Sequence, residues 1–217
     1  MTAPLFDDPA QPPRAPQELE PGAMVLPGFA HDQAALLLQA VAAIATRAPM
    51  RHLITPGGLR MSVAMTNCGN LGWVSDRTGY RYAAVDPESG HPWPLMPACF
   101  EDLAREAAAA AGYPGFTPDA CLINRYAIGS RLSLHQDRDE RDLAHPIVSV
   151  SLGLPASFLW GGRQRTAKVR RVALLHGDVM VWGGPARLHF HGVQRLARGN
   201  HPLTGPCRIN LTFRKAD

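Results

Sequence analysis

Two side chains able to bind a metal stand one residue apart in His135-Gln136-Asp137, so on an extended segment the imidazole and the carboxylate project to the same side. A third ligand can come from His191, at the end of a predicted strand over 188–191. Two histidines and one carboxylate make the facial triad of non-haem iron(II) oxygenases, which leaves three metal positions open for a chelating cosubstrate and oxygen. His-x-Asp is a common pattern and the chain has nine histidines, so a second signal has to support the first. In Arg208-Ile209-Asn210-Leu211-Thr212-Phe213-Arg214, the residues Arg208, Asn210, Thr212 and Arg214 share one strand face and Ile209, Leu211 and Phe213 the other. Two arginines on one polar face suggest a bound anion, because guanidinium forks hold carboxylates bidentately and 2-oxoglutarate carries two. Asn124 and Tyr126 likewise share a face, and both can donate hydrogen bonds to the same ligand. The plain alternative for the arginine strand is an exposed sheet face.

Short runs with β character begin near residue 120. They cover 121–126, 147–154, 157–160, 169–175, 179–182, 188–191 and 208–213, with turn residues at Gly161-Gly162, His176-Gly177-Asp178 and Gly183-Gly184-Pro185. Seven such strands predict an all-β sandwich or barrel, a jelly roll for preference, with two helices packed outside. Those helices are expected over 32–46, capped by Asp32, and over 98–111, ended by Gly112-Tyr113-Pro114. Between them, residues 55–97 are rich in Gly, Pro, Asn and aromatics, with one short strand expected at 62–65. Long ordered connections of this kind are often binding elements. Residues 1–22 show no apolar period and predict a flexible arm, leaving 23–217 as one catalytic domain.

The chain's 217 residues suffice for one domain with a sizeable core and are too few for two large ones. Its four cysteines, Cys68, Cys99, Cys121 and Cys207, form no C-x-x-C pair, which excludes a zinc knuckle and a disulfide framework as readings. Neither a leader-like N-terminus nor an apolar run of roughly 20 residues is present, so a soluble, cytoplasmic protein without a membrane partner is expected. A net charge of +4 is compatible with a polyanion but is too ordinary to argue for one.

Taken together, Asn124-Arg125-Tyr126, the run Leu134-His135-Gln136-Asp137-Arg138-Asp139-Glu140, His191-Gly192 and the R-x-N-x-x-x-R segment from Arg208 resemble the AlkB family of nucleic-acid dealkylases. The likeness runs over about 25–214 and includes Thr55-Pro56-Gly57-Gly58, the run 61–69 and the run 147–155. It implies a mostly β protein with flanking helices, the double-stranded β-helix, holding iron(II) through His135, Asp137 and His191. It implies 2-oxoglutarate held by Asn124, Tyr126, Arg208, Asn210 and Arg214, with oxygen as the other cosubstrate. It also implies a nucleotide-recognition loop at about 55–97, Trp73 stacked on an extruded base opposite His135, Asp139 near the exocyclic amine of that base, and Tyr80, Arg81, Tyr82 and Arg165 touching nucleic acid. The implied reaction is oxidative dealkylation of bases such as 1-methyladenine and 3-methylcytosine, in single- or double-stranded DNA with RNA as a further candidate, by a monomer. A lesion that cannot pair is the cheapest base to extrude.

This sequence departs from the family pattern in having Ile128 where proline is frequent, and His189 offers a second imidazole on the same predicted strand face as His191. Two rival readings stand beside the dealkylase. One is an oxygenase of the same fold acting on a small molecule, against which the aromatic stretch from Trp73 to Tyr82 speaks; the other is a non-catalytic nucleic-acid binder, against which the full triad speaks.

Overall fold

Period-two alternation gives Ile147-Val148-Ser149-Val150-Ser151-Leu152-Gly153 two different faces, and both are used. In the computed structural model, which describes residues 14–217, this run is strand β8 (Ile147–Gly153) at the centre of a seven-stranded sheet. The order there is β1 (Gln17–Glu20), β2 (Ala23–Leu26), β11 (Val179–Trp182), β8, β13 (Cys207–Arg214), β6 (Ala120–Ala127) and β3 (Ala64–Gly69). A second sheet runs β10 (Arg170–Leu174), β9 (Ala156–Trp160), β12 (His191–Val193) and β7 (Leu132–His135), and a hairpin joins β4 (Gly72–Asp76) to β5 (Gly79–Ala83). Every pairing within these sheets is antiparallel.

One face of the large sheet presents Val148, Val150 and Leu152 from β8, Ile209, Leu211 and Phe213 from β13, and Cys121 and Ile123 from β6. Helices α1 (Ala34–Arg47) and α2 (Ala98–Ala110) cover that face with Leu37, Val41, Ile44, Phe100 and Leu103. Leu37, Phe100 and Phe213 are fully buried, and each side chain of this size is worth about 1.5–3 kcal/mol of burial. The opposite face turns Leu122, Tyr126, Met180 and Trp182 toward Phe158, Trp160, Val172 and Leu174 of the small sheet. Two facing antiparallel sheets with helices outside make the expected jelly roll. The polar positions of β6, β8 and β13 are thereby enclosed between the sheets.

Three expectations are corrected. Residues 17–22 are not part of a free arm, because β1 pairs with β2, Glu20 accepts a hydrogen bond from the Trp160 indole, and Arg170 Nη2 donates to the Leu19 carbonyl at 3.0 Å. The expectation for residues 1–13 lies outside the described residues. Asp32 does not cap α1, whose N-cap is Gln33 without a side-chain bond; Asp32 instead meets the exposed His31 ring. The strand expected over 188–191 starts at His191 instead; residues 187–190 follow a short 3-10 turn, Gly184–Ala186, and belong to no strand. No described helix is long and apolar enough to cross a membrane.

A pH effect on stability follows from the turn before β11. His176 accepts the Gly153 N–H on Nδ1 at 2.9 Å, and burial together with the neighbouring His201 and His31 rings lowers its pKa to about 4. Its unfolded value is about 6.5, so the unfolded chain binds the extra proton first and stability is lost as pH falls from about 6.5 toward 4. Because the ring is partly exposed, solvent screening reduces the effect to about 1–2 kcal/mol. Urea titrations of the parent and His176→Gln at pH 7 and pH 5 check this: the variant is expected to lose less stability between the two pH values.

Candidate active site

Each member of the His135, Asp137, His191 set is placed by a strand end. His135 closes β7 and His191 opens β12, and the two are Cα partners in the ladder between those strands. The glycine after His191 allows this approach: a Cβ on Gly192 would lie 2.7 Å from the Leu132 carbonyl oxygen of β7. The result is a tight cluster. His135 Nε2 is 3.5 Å from Asp137 Oδ1, His191 Nε2 is 3.8 Å from Asp137 Oδ2, and the imidazole centroids are 4.4 Å apart. One ligand atom from each residue falls within 4.8 Å of the others, which fits a single ion. Both rings have Nδ1 against a main-chain carbonyl, Ser133 at 2.9 Å and His189 at 3.0 Å. An Nδ1–H donated there leaves the Nε2 lone pairs directed at the cluster, as a metal ligand requires. Burial and the neighbouring His135 ring lower the His191 pKa to about 3, so it is neutral at physiological pH. Burial also opposes charge on His135, but the Asp137 carboxylate outweighs it and raises that pKa above 6.5.

His189 is not part of this cluster. Its ring packs on Trp160 at 5.3 Å and its Nδ1 is 3.2 Å from Glu20 Oε1, and it contributes no ligand atom to the cluster.

The polar face of β13 lines the same cavity, of about 780 Å³, as His135, Asp137 and His191 and as Asn124 and Tyr126 on β6. Arg208, Asn210, Thr212 and Arg214 are all buried, so the exposed-face alternative for this strand does not hold. Asn210 Nδ2 donates to Ser149 Oγ and to the Val150 carbonyl, both at 2.8 Å. Arg208 is 1% exposed; its Nη2 donates to Ser151 Oγ at 2.9 Å, while Nε and Nη1 have no hydrogen-bond partner among the described residues. Burial pulls its pKa down, and its guanidinium lies 5.0 Å over the Tyr126 ring. Buried polar groups are rarely left unpaired, so a buried cation with two idle donors inside a cavity fits a carboxylate ligand. Asn124 Oδ1 is idle as well. Arg214 differs: its Nη2 is 2.6 Å and its Nε 3.1 Å from Asp137 Oδ2, and Nε is also 3.2 Å from Glu140 Oε1. Burial disfavours its charge, but Asp137, Tyr82 and Glu140 hold its pKa above the ordinary value. The same arginine keeps Asp137 ionised well below the usual carboxylate range, against the effect of burial.

At the mouth, Trp73 from β4 stacks on Tyr80 from β5 with centroids 5.5 Å apart and planes 14° from parallel. Trp73 Nε1 donates to Asp139 Oδ2 at 2.8 Å, and Arg165 Nη1 donates to the Leu134 carbonyl at 2.9 Å. All four side chains line the cavity. Arg81 and Tyr82, expected beside Tyr80 as nucleic-acid contacts, are not brought to it. Arg81 is occupied by Asp76 at 2.8 Å across the hairpin, and the Tyr82 hydroxyl is turned inward, where it donates to Glu140 Oε1 at 2.8 Å. Residues 55–97 thus contain a folded hairpin and β3, not a plain loop.

Sequence reasoning missed Ser149 and Ser151, which hold Asn210 and Arg208, and the buried Arg187, whose Nη1 donates to the Asp137 carbonyl at 2.6 Å and whose Nε donates to the His145 carbonyl at 3.0 Å. The two serines carried a readable signal, a polar period of two inside an apolar strand. Arg187 carried none.

The fold and site together define a jelly roll whose cavity holds a two-histidine, one-carboxylate cluster suited to a single metal ion, with buried arginines beside it and aromatic residues at its mouth. Comparison with known proteins agrees. Residues 22–214 match the 2OG-Fe(II) oxygenase superfamily. The chain is 56% identical over 212 residues to the alpha-ketoglutarate-dependent dioxygenase AlkB of Escherichia coli K12, covering 98% of this chain and 97% of that protein. It is 34% identical over 126 residues to the human nucleic acid dioxygenase ALKBH1, covering 58% of this chain and 32% of that one. The solved structure of OsALKBH1 superposes with a TM-score of 0.82 at 31% identity, covering 92% of this chain and 99% of that one. The chain belongs to the AlkB family within the 2OG-Fe(II) oxygenases. It is therefore an iron(II)- and 2-oxoglutarate-dependent dioxygenase.

Proposed function

We propose that this enzyme removes alkyl groups oxidatively from nucleic-acid bases, with 1-methyladenine and 3-methylcytosine as substrates, in single- or double-stranded DNA and also in RNA. The observation that carries this reading is one cavity with the histidine and carboxylate cluster in its middle, a buried unpaired arginine at its inner end and a stacked Trp73 at its mouth. His135, Asp137 and His191 would hold iron(II), and Asn124, Tyr126, Arg208, Asn210 and Arg214 would hold 2-oxoglutarate. With oxygen, this pair supplies oxidation of the N-alkyl carbon, which leaves as an aldehyde while 2-oxoglutarate becomes succinate and carbon dioxide. The chain's own residues bind, orient and exclude water. Arg208 anchors a carboxylate in a site closed to solvent, where a charged hydrogen bond is strongest. Trp73 offers a flat face to a base taken out of its stack, and Asp139, fixed by the Trp73 indole, places a negative charge beside a cationic alkylated ring. Tyr80 and Arg165 line the same cavity and would contact the flanking strand. We take the working form to be a cytoplasmic monomer.

The test uses a single-stranded oligonucleotide with one 1-methyladenine, assayed for succinate and for repaired base. Trp73→Ala is expected to lose roughly ten- to hundredfold in affinity for the lesion strand, from about 1–3 kcal/mol of stacking, while slow succinate formation without repair persists. Equal repair by parent and variant would remove Trp73 as the base platform. No repair by the parent, on any methylated oligonucleotide, would favour an oxygenase acting on a small molecule.

A further inference from the structure

Glu140 is buried yet bonded to neither the cavity nor the solvent. Its side chain is 1% exposed and meets groups from three parts of the chain, one by a hydrogen bond and two by ion pairs, with Oε2 left without a hydrogen bond among the described residues. The Tyr82 hydroxyl of β5 reaches Oε1 at 2.8 Å, Arg214 Nε of β13 lies 3.2 Å from the same oxygen, and Arg187 Nη2 lies 3.0 Å from Oε2. Two of these groups go on to Asp137, Arg214 through its carboxylate and Arg187 through its carbonyl. The strand β5 is also half of the hairpin whose other half carries Trp73, and Trp73 is the direct register partner of Tyr82. A buried carboxylate between two guanidinium groups is costly to disturb, because any donor withdrawn leaves charge uncompensated in a poorly solvated place. Movement of the hairpin and placement of Arg214 are therefore tied at one atom, Glu140 Oε1.

We infer that Glu140 is a positioning residue that couples the Trp73 hairpin to the cosubstrate cradle through Tyr82, Glu140 and Arg214, so that nucleic acid and 2-oxoglutarate each strengthen binding of the other. This rests on the proposed function. Glu140 itself touches neither ligand in this arrangement. When a carboxylate ligand engages Arg214, Glu140 keeps that guanidinium in place, and the Tyr82 bond keeps the hairpin closed over the mouth. Coupling between two sites is reciprocal, so the factor by which one ligand tightens the other must be the same in both directions.

The experiment measures that factor under argon, with manganese(II) as a redox-inert metal. Calorimetry gives 2-oxoglutarate affinity with and without a saturating single-stranded 1-methyladenine oligonucleotide, and fluorescence anisotropy gives oligonucleotide affinity with and without 2-oxoglutarate. For the parent, both ratios are expected to agree at about fivefold or more. In Tyr82→Phe, which removes one hydroxyl and keeps the buried ring, and in Glu140→Gln, which keeps the shape and removes the charge, the ratio is expected to fall toward one. The ratio is insensitive to a uniform loss of affinity or to lower stability, so a purely structural role for Glu140 would leave it unchanged. An undiminished ratio in Tyr82→Phe overturns the inference even if Glu140→Gln fails to fold. A parent that binds both ligands without coupling overturns the inference alone. A parent that does not distinguish the methylated from the unmethylated strand overturns the proposed function, and the inference with it.

Discussion

His191→Ala is expected to abolish turnover and to empty the metal site, while His189→Ala keeps most of both. Removing His191 leaves His135 and Asp137 as protein ligands, and Asp137 is already engaged by Arg214 at 2.6 Å. That ion pair competes with a metal ion for the Asp137 carboxylate. An open catalytic site has no spare protein ligand to substitute, unlike a closed structural one. His189 cannot take over, because its ring is held against Trp160 and its Nδ1 faces Glu20. Metal stoichiometry after anaerobic loading, together with succinate formation, measures the difference between the two variants. Metal retained by His191→Ala and lost by His189→Ala would reverse the assignment.

Arg208→Met is expected to separate stability from cosubstrate binding. In the parent, Arg208 is a buried cation whose Nη2 bonds Ser151 and whose Nε and Nη1 have no partner among the described residues. Without ligand it is a cost to the fold, since desolvation of an unpaired charge is not offset by a carboxylate. A methionine of similar length removes that cost, so the ligand-free variant should unfold at the same denaturant concentration as the parent or higher, by about 1 kcal/mol. Affinity for 2-oxoglutarate should fall by about 3 kcal/mol, roughly a hundredfold, because a charged bidentate partner is lost. Chemical unfolding and an anaerobic titration of 2-oxoglutarate give both numbers. If the ligand-free variant loses more than about 2 kcal/mol, Arg208 serves the fold instead of the anion.

That β13 would carry a core face and a polar face was readable from Arg208 to Arg214, because side chains alternate along any strand. That the polar face is buried was not, since an exposed face and a cavity wall have the same alternation. The helices over 34–47 and 98–110 were readable from apolar spacing, but the cap at Asp32 was not, because a capping side chain succeeds only if the entering chain aims it at the first turn. Gln33 takes that place with no side-chain bond. The segment 17–22 looked like a free arm because strand pairing with β2 and the Glu20 contact to Trp160 are long-range and leave no local period.

Local spacing determined the pairing of His135 with Asp137, the arginine-bearing polar face of β13, the shared face of Asn124 and Tyr126, and the aromatic content of the stretch containing Trp73. These follow from strand geometry and side-chain chemistry within a few residues. Tertiary structure decided which histidine completes the cluster: it brings β12 against β7 at a glycine and turns His189 away to Glu20. It also decided that Tyr82 turns inward to Glu140 while Tyr80 faces the cavity, and that Arg187, which has no motif around it, braces Asp137. The physical reason is common to all of these. Spacing along a strand fixes which face a side chain takes, whereas the partner it meets is set by which strands and loops pack across from that face.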